Sequence, residues 1–291
     1  MIETYLLEEL QIFAQKKTLA KTAAALNVTQ PTVTRGMQKL EDEFGVQLFN
    51  RQPNRITLTE TGELAAKEAG NLISAMQTMT ENVRNFEQSH QRIKIGSILP
   101  GPLILLRYLH SQLKSQVEVH DQELLQNKVP DFLTTHAYTL MISDQNIQTK
   151  KIASQYIGTE KLSVNLDQFM YHANQSEVSF AELKDLSFIV LSAIGPWRTI
   201  IQNEIPDAKF LYQAQRDAFT EITKYSDFPY FSSNLSKYDP QFIQQTQEPD
   251  NRVPIQLSDP SAHMKVFANF LKPQFERVQP VIKTMKQNWP E

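Results

Sequence analysis

The chain has 291 residues and no cysteine. That excludes a disulfide framework, thiolate metal sites and cysteine nucleophiles. Glycine is scarce, eight in all, and no nucleophile elbow, phosphate loop or dinucleotide fingerprint occurs. The six histidines (His90, His110, His120, His136, His172 and His263) are scattered with no i, i+4 pair, so no metal site is expected. No apolar run approaches the ~18 residues of a membrane span. Met1 to Gln11 holds Glu3, Glu8 and Glu9 with no basic stretch, unlike a signal peptide. The expectation is a cytoplasmic protein with no membrane partner, no catalytic residues and no cofactor. Net charge is only −3, so any affinity for nucleic acid must come from a local patch.

What is present is an ordinary globular composition, 41% hydrophobic and 21% charged, long enough for two compact units. Leu6, Leu10 and Phe13 predict a first amphipathic helix over residues 3–17, and an alanine-rich helix follows from Ala20 to Leu26. Thr29 is a good N-cap for a third helix, Gln30 to Phe44, with Pro31 in its first turn. Val33, Met37, Leu40 and Phe44 fall on one arc of that helix and predict its core face. Pro31, Thr32, Arg35, Gln38 and Lys39 fall opposite, with Thr34 on the flank. Gly36 inside the helix costs ~1 kcal/mol against alanine; it either allows close approach of backbones or is merely tolerated. Gly45 suits a helix C-terminus. Two short strands, Gln47–Arg51 and Arg55–Leu58, flank a Pro-Asn turn and make a small wing. From Lys16 to Arg55 there are seven basic residues against Glu41, Asp42 and Glu43, a local positive field suited to phosphates.

Thr59 caps a long helix to about Gln88. Ala65, Ala69, Leu72, Met76, Met79, Val83 and Phe86 alternate at spacings of four and three, a heptad seam. A narrow stripe on so long a helix is most easily buried against a second copy, and Leu72, Met76, Met79, Val83 and Phe86 are the expected dimer seam. From Ile93 onward short strands alternate with helices, which predicts an α/β domain. Strands are expected at Ile93–Ile98, Val117–His120, Tyr138–Ser143, Tyr156–Leu166, Ser187–Leu191, Lys209–Tyr212, Pro229–Phe231 and Val253–Leu257. A capping box is expected at Ser179…Glu182, and closing helices at Ala262–Leu271 and Gln274–Lys286.

The segment Thr18 to Gly62 resembles the N-terminal domain of LysR-type transcriptional regulators. The residues that carry the resemblance are Thr18-Leu19, Thr22-Ala23, Leu26, Thr29-Gln30-Pro31, Thr34, Met37, Leu40-Glu41, Phe44-Gly45, Leu48-Phe49, Arg51, Leu58-Thr59 and Gly62. Their spacing holds without insertion. Thr22 stands where the family usually has alanine, and the wing carries Asn54-Arg55 in place of a basic-glycine pair. The resemblance implies a winged helix-turn-helix over 1–58, a linker dimerisation helix over 59–88 and a two-lobed α/β effector domain over 89–291. That last domain would resemble periplasmic binding proteins, with its second lobe at about 162–255. Asp227 to Phe231 replaces a glycine-rich motif common in the family, so the sensing half is divergent.

The implied function is a sequence-specific DNA-binding regulator responsive to a small effector between the lobes. The alternative is a regulator whose C-terminal domain serves oligomerisation or a protein partner. Double-stranded DNA, a second copy of the chain (a dimer or a dimer of dimers) and RNA polymerase are the expected partners. Thr29, Gln30, Pro31, Thr32, Thr34, Arg35, Gln38, Arg51, Asn54 and Arg55 are the candidate DNA contacts. In this set Gln30 suits adenine, and Arg35 suits guanine O6/N7 or else a phosphate. Arg51 either holds a phosphate or braces the wing. Ser97, at a strand end before a helix, is the first candidate for an effector contact. With the helix N-terminus it would hold a carboxylate. Ser143, Ser192, Tyr230 and Phe231 complete the expected cleft.

Overall fold

The computed structural model describes residues 1–53, 55–124, 126–247 and 251–290. The chain divides into two compact units, Met1–Arg84 and Asn85–Glu291.

In the first unit α1 (Thr4–Lys16), α2 (Leu19–Ala25) and α3 (Gln30–Phe44) precede a two-stranded wing, β1 (Phe49–Gln52) and β2 (Arg55–Leu58). The long helix α4 (Glu60–Gln91) begins here and runs three residues past the expected end. Thr18 caps α2 by accepting the Lys21 N–H, and Thr59 opens α4 by accepting that of Gly62; each satisfies an N–H that the helix leaves unpaired. Gly45 ends α3 at φ +67°, where a side chain would be strained. Leu6, Leu10, Phe13, Val33, Met37, Leu40, Leu48 and Phe49 form the core, with Phe13 and Phe49 edge to face at 5.5 Å. Phe44 departs from the expected core face and is 40% exposed. It is the last residue of α3, where the left-handed Gly45 turns the chain away. Thr22 is fully buried and donates its hydroxyl to the Thr18 carbonyl at 2.9 Å, so the polar atom it brings into the core is satisfied.

The second unit takes in the end of α4 and continues through β3 (Ile93–Ser97), α5 (Pro100–Tyr108), β4 (Val117–Glu123), α6 (Val129–Thr134), β5 (Leu140–Ser143), β6 (Ile152–Asp167) and β7 (Glu177–Val178). Then come β8 (Ser187–Leu191), α7 (Trp197–Glu204), β9 (Lys209–Gln213), α8 (Arg216–Lys224), β10 (Tyr230–Ser233), α9 (Pro240–Gln247), β11 (Arg252–Leu257), β12 (His263–Leu271) and α10 (Phe275–Gln287). Among the described residues one eight-stranded sheet runs β4-β3-β5-β12-β6-β11-β7, with β10 also on β6, and β8 and β9 form a separate parallel pair. β6 serves both lobes. It pairs with β12 from Ile152 to Lys161, and with β10 and β11 from Leu162 to Asp167. The capping box forms as expected: Glu182 Oε2 accepts from the Ser179 amide at 2.8 Å and its hydroxyl at 2.7 Å. The turn it opens is a short 3-10 helix, Phe180–Leu183.

The expected helix at Ala262–Leu271 is a strand instead. In β12, Met264, Val266, Ala268 and Phe270 are buried while His263 and Lys265 are exposed. That is period two, and the apolar density of the run had hidden it. Met264, Val266 and Phe270 join Ile95, Leu140, Ile142, Val164 and Leu166 in the main core of this unit.

Candidate DNA interface and ligand cavity

Thr29 Oγ1 accepts the Thr32 N–H at 3.4 Å and lies 2.9 Å from the Thr32 hydroxyl, so both threonines help hold the start of α3. Gln30, Pro31, Thr32, Arg35 and Gln38 are exposed on the outer face. Thr34 donates its hydroxyl back to the Gln30 carbonyl at 3.0 Å. Among the described residues Arg35 has no hydrogen-bond or ionic partner, whereas Lys39 is tied to Glu3 at 2.6 Å. Arg35 therefore keeps its guanidinium available on this face. Arg51 Nη2 pairs with Glu41 Oε2 at 2.7 Å, and the other oxygen of Glu41 accepts the amides of Leu48 and Phe49. That arrangement is the bracing alternative: Arg51 and Glu41 pin the wing to α3. Arg55 is exposed at the start of β2, and Asn54 lies outside the described residues.

Gly36 admits a side chain rather than a backbone. A Cβ there would stand 1.8 Å from Glu9 Oε2. Glu9 is buried, and among the described residues that oxygen finds no hydrogen-bond donor; burial pushes its pKa up. On α4, Leu72, Met76, Met79, Val83 and Phe86 are all exposed, Val83 by 66%, so the expected seam is uncovered in a single chain.

In the second unit a cavity of about 140 Å³ opens between α5, β6, β8, α7, α8 and β10. Its walls are largely apolar, with Ile104, Leu162, Trp197, Ile201, Phe219 and Phe231 among them. The charged residues that line it are Glu160, Arg216 and Asp239. Arg216 Nη2 pairs with Asp239 at 2.6 Å, while its Nε–H is buried without a partner among the described residues. Glu160 is 2% exposed, and among the described residues its Oε2 likewise makes no well-formed hydrogen bond. Desolvation pushes its pKa up to about 7, against the weaker pull of the nearby Ser233 hydroxyl and Trp197 indole N–H, which favour the charged form. The carboxyl lies over the first turn of α5, where a Cβ on Gly101 would meet Glu160 Oε1 at 2.2 Å.

Two of the expected effector residues line this cavity, Tyr230 and Phe231; the serines do not. Ser97 is fully buried, and its hydroxyl donates to the Leu99 carbonyl and accepts the Leu99 N–H. Ser143 closes a similar turn onto Gln145 and accepts from Asn269 at 2.8 Å. Ser192 is not among the lining residues, although Leu191 and Ala193 beside it are. Local hydrogen bonding has claimed two of these hydroxyls. The neighbouring helix N-terminus is also poorer in donors than its position suggests, because Pro100 and Pro102 have no N–H. Sequence reasoning missed Glu160, Trp197 and Arg216. The legible signal for Glu160 was its parity on β6, where it shares the inward register of Leu162, Val164 and Leu166.

The order of a winged helix-turn-helix, a long helix and a two-lobed α/β domain recurs in known proteins. Residues 6–63 match the family model described as bacterial regulatory helix-turn-helix protein, lysR family. The match covers the helix-turn-helix, the wing and the start of α4, and this segment resembles that family. The chain is 23% identical over 202 residues to the Escherichia coli protein named uncharacterized HTH-type transcriptional regulator YbhD, a match covering 67% of this chain and 63% of that protein, a little under two thirds of its length. Among solved structures, a full-length OxyR of Pseudomonas aeruginosa carrying one substitution superimposes with a TM-score of 0.53 at 18% identity, over 98% of this chain and 95% of the other. DarR of Vibrio fischeri, solved in complex with DNA, gives 0.56 at 16% identity over 98% and 99%. No described helix is long and apolar enough to cross a membrane.

Proposed function

We propose that this protein binds specific DNA sites as a dimer or a dimer of dimers and regulates transcription there in response to a small effector. RNA polymerase is the partner on which bound protein would act. The observation that carries the reading is the front of α3, where a capped, exposed helix start presents Gln30, Thr32, Arg35 and Gln38. A helix so presented enters a major groove with its first turns against base edges, and a guanidinium there suits guanine. Arg55 on the wing would lie near phosphate, and Arg51 would act indirectly by holding the wing. The exposed stripe from Leu72 to Phe86 on α4 supports pairing of two copies. The cavity at Glu160 is the effector site in this reading, since ligands seat in concave, mostly apolar pockets with few polar groups. Effector binding would bias the arrangement of the lobes and so the DNA-bound state of the oligomer.

Replacing Arg35 with alanine tests the interface. Specific binding is expected to weaken by about 1–3 kcal/mol, with preference relaxed at one base pair and nonspecific binding little changed. Titration against a panel of operator variants reads this directly. An equal loss on every sequence would assign Arg35 to phosphate.

A further inference from the structure

We propose that the cavity takes a small organic amine, a protonated nitrogen on a ring-sized apolar body, with the Glu160 carboxylate as its counter-ion. The inference rests on reading this cavity as the effector site and goes on to name the chemistry of its guest.

An anionic guest is disfavoured by what already stands there. The place over the first turn of α5 is filled by the protein's own carboxyl, pressed against Gly101 so closely that even a methyl group would collide. A second carboxylate would meet like charge in a small, poorly solvated space. The lining cation, Arg216, is already committed to Asp239, so with Glu160 ionised the three charged side chains leave one negative charge unbalanced. A cationic nitrogen balances it.

Hydrogen bonding points the same way. Glu160 Oε2 is buried and makes no well-formed hydrogen bond among the described residues, and an unsatisfied buried acceptor is costly. An ammonium group brings donors only and supplies what that oxygen lacks. The Nε–H of Arg216 is a buried donor in the same position, and a hydroxyl or ether oxygen elsewhere on the guest would satisfy it. Size limits the rest. A cavity of about 140 Å³ is close to the engineered apolar cavities of about 150 Å³ that admit a benzene ring, and the walls of Ile104, Leu162, Phe219 and Phe231 suit such a body. Burial holds the Glu160 proton to about pH 7, so capture of a cation near neutrality releases that proton.

The test uses the full chain and three probes of one shape: benzylamine, benzyl alcohol and benzoate. Trp197 lines the cavity and is one of two tryptophans, so its emission reports occupancy, and Trp197→Phe removes the response. Benzylamine is expected to bind at least about tenfold more tightly than either analogue, the preference a desolvated charge pair supplies, and to raise the melting temperature. Its calorimetric heat at a pH just below the Glu160 pKa should vary with the ionisation enthalpy of the buffer. Glu160→Gln should reduce its affinity to that of the alcohol while the protein stays folded. Benzoate or benzyl alcohol binding as tightly as the amine, or amine binding unchanged by Glu160→Gln, would overturn the amine assignment and leave the effector cavity standing. No binding by any probe, with Trp197 emission and melting temperature unmoved, would overturn the cavity as a ligand site and the amine with it.

Discussion

Among the described residues two glutamates are buried, and each lies against a glycine in a helix. Glu9 of α1 is pressed onto Gly36 of α3, and Glu160 of β6 onto Gly101 of α5. Both keep one carboxyl oxygen without a hydrogen bond, and burial raises the pKa of both. Their surroundings differ. Glu9 sits among packed helices, with Leu6, Leu10, Phe13, Val33 and Met37 in the core around it. Glu160 faces a cavity. A carboxyl packed among core side chains is a structural burden carried by its neighbours, whereas one beside a void has somewhere for a partner to come from. Crowding and desolvation alone therefore do not mark a site; the empty volume next to the crowded group does.

A carboxyl with neither glycine nor void gives the sharpest contrast, and Met79→Glu makes one. Met79 is 61% exposed in one chain and becomes buried only if two α4 helices pair. The dimer is expected to weaken by at least about a hundredfold, near 2.7 kcal/mol, and DNA binding should fall with it. Sedimentation at low micromolar concentration checks this. A mutant that remains fully dimeric would place the interface elsewhere.

Removing the charge at each glutamate separates the pair. Folded protein holds the Glu160 proton to about pH 7, while the unfolded chain releases it near its ordinary value of 4.5. Between those values the folded state binds more protons, so the contribution of Glu160 to stability falls as pH rises and levels off above 7. Glu160→Gln should therefore stabilise the protein by up to about 3 kcal/mol once the pH is above that range, with the gain vanishing toward the unfolded value. Urea unfolding of the full chain across this range reads it. Glu9→Gln should move stability in the same direction by less. A pH-independent gain at Glu160 would mean that its proton is not held.

The smallest effects come from the glycines. At Gly36 the new methyl stands 1.8 Å from the buried Glu9 Oε2. Overpacking of about 1–3 kcal/mol is only partly offset by about 1 kcal/mol of helix propensity. The net loss should disappear when Glu9→Ala is added. At Gly101, Glu160 can swing into the cavity, so Gly101→Ala should cost less than Gly36→Ala. Thermal melts of the two single variants and the double variant decide it, and a larger loss at Gly101 would show that the cavity does not yield.

The first unit was readable in sequence because its signals are local. Thr29 and Gly45 mark both ends of α3, and Val33, Met37 and Leu40 mark its buried face. Phe44 escaped because periodicity does not say where the chain turns away. The second unit depends on residues far apart. Gly101 and Glu160 are 59 positions apart in the chain, and nothing near either announces the other. Ser97 and Ser143 looked like ligand contacts by their place at strand ends, but short turns to Leu99 and Gln145 had already taken their hydroxyls. β12 was misread for another reason: Phe267 and Phe270 made a dense apolar run in which the alternation of Met264, Val266 and Ala268 was easy to overlook.

One strand joins the two lobes as a common rail. β6 exchanges β12 for β10 and β11 between Lys161 and Leu162, and Glu160 sits just before that exchange, opposite Met264. Lobes threaded on one hydrogen-bonded strand cannot swing apart like jaws without breaking ladder bonds. They can rotate about the strand, since β-structure tolerates a wide range of twist between neighbours. β12 carries a register shift at Val266/Phe267, a short way along from Met264, and such irregularities are where a ladder bends and twists most readily. On the effector reading proposed above, a guest that draws the Glu160 carboxylate into the cavity would act on this strand next to that junction. In that reading, the group that meets the guest and the strand shared by both lobes are one element.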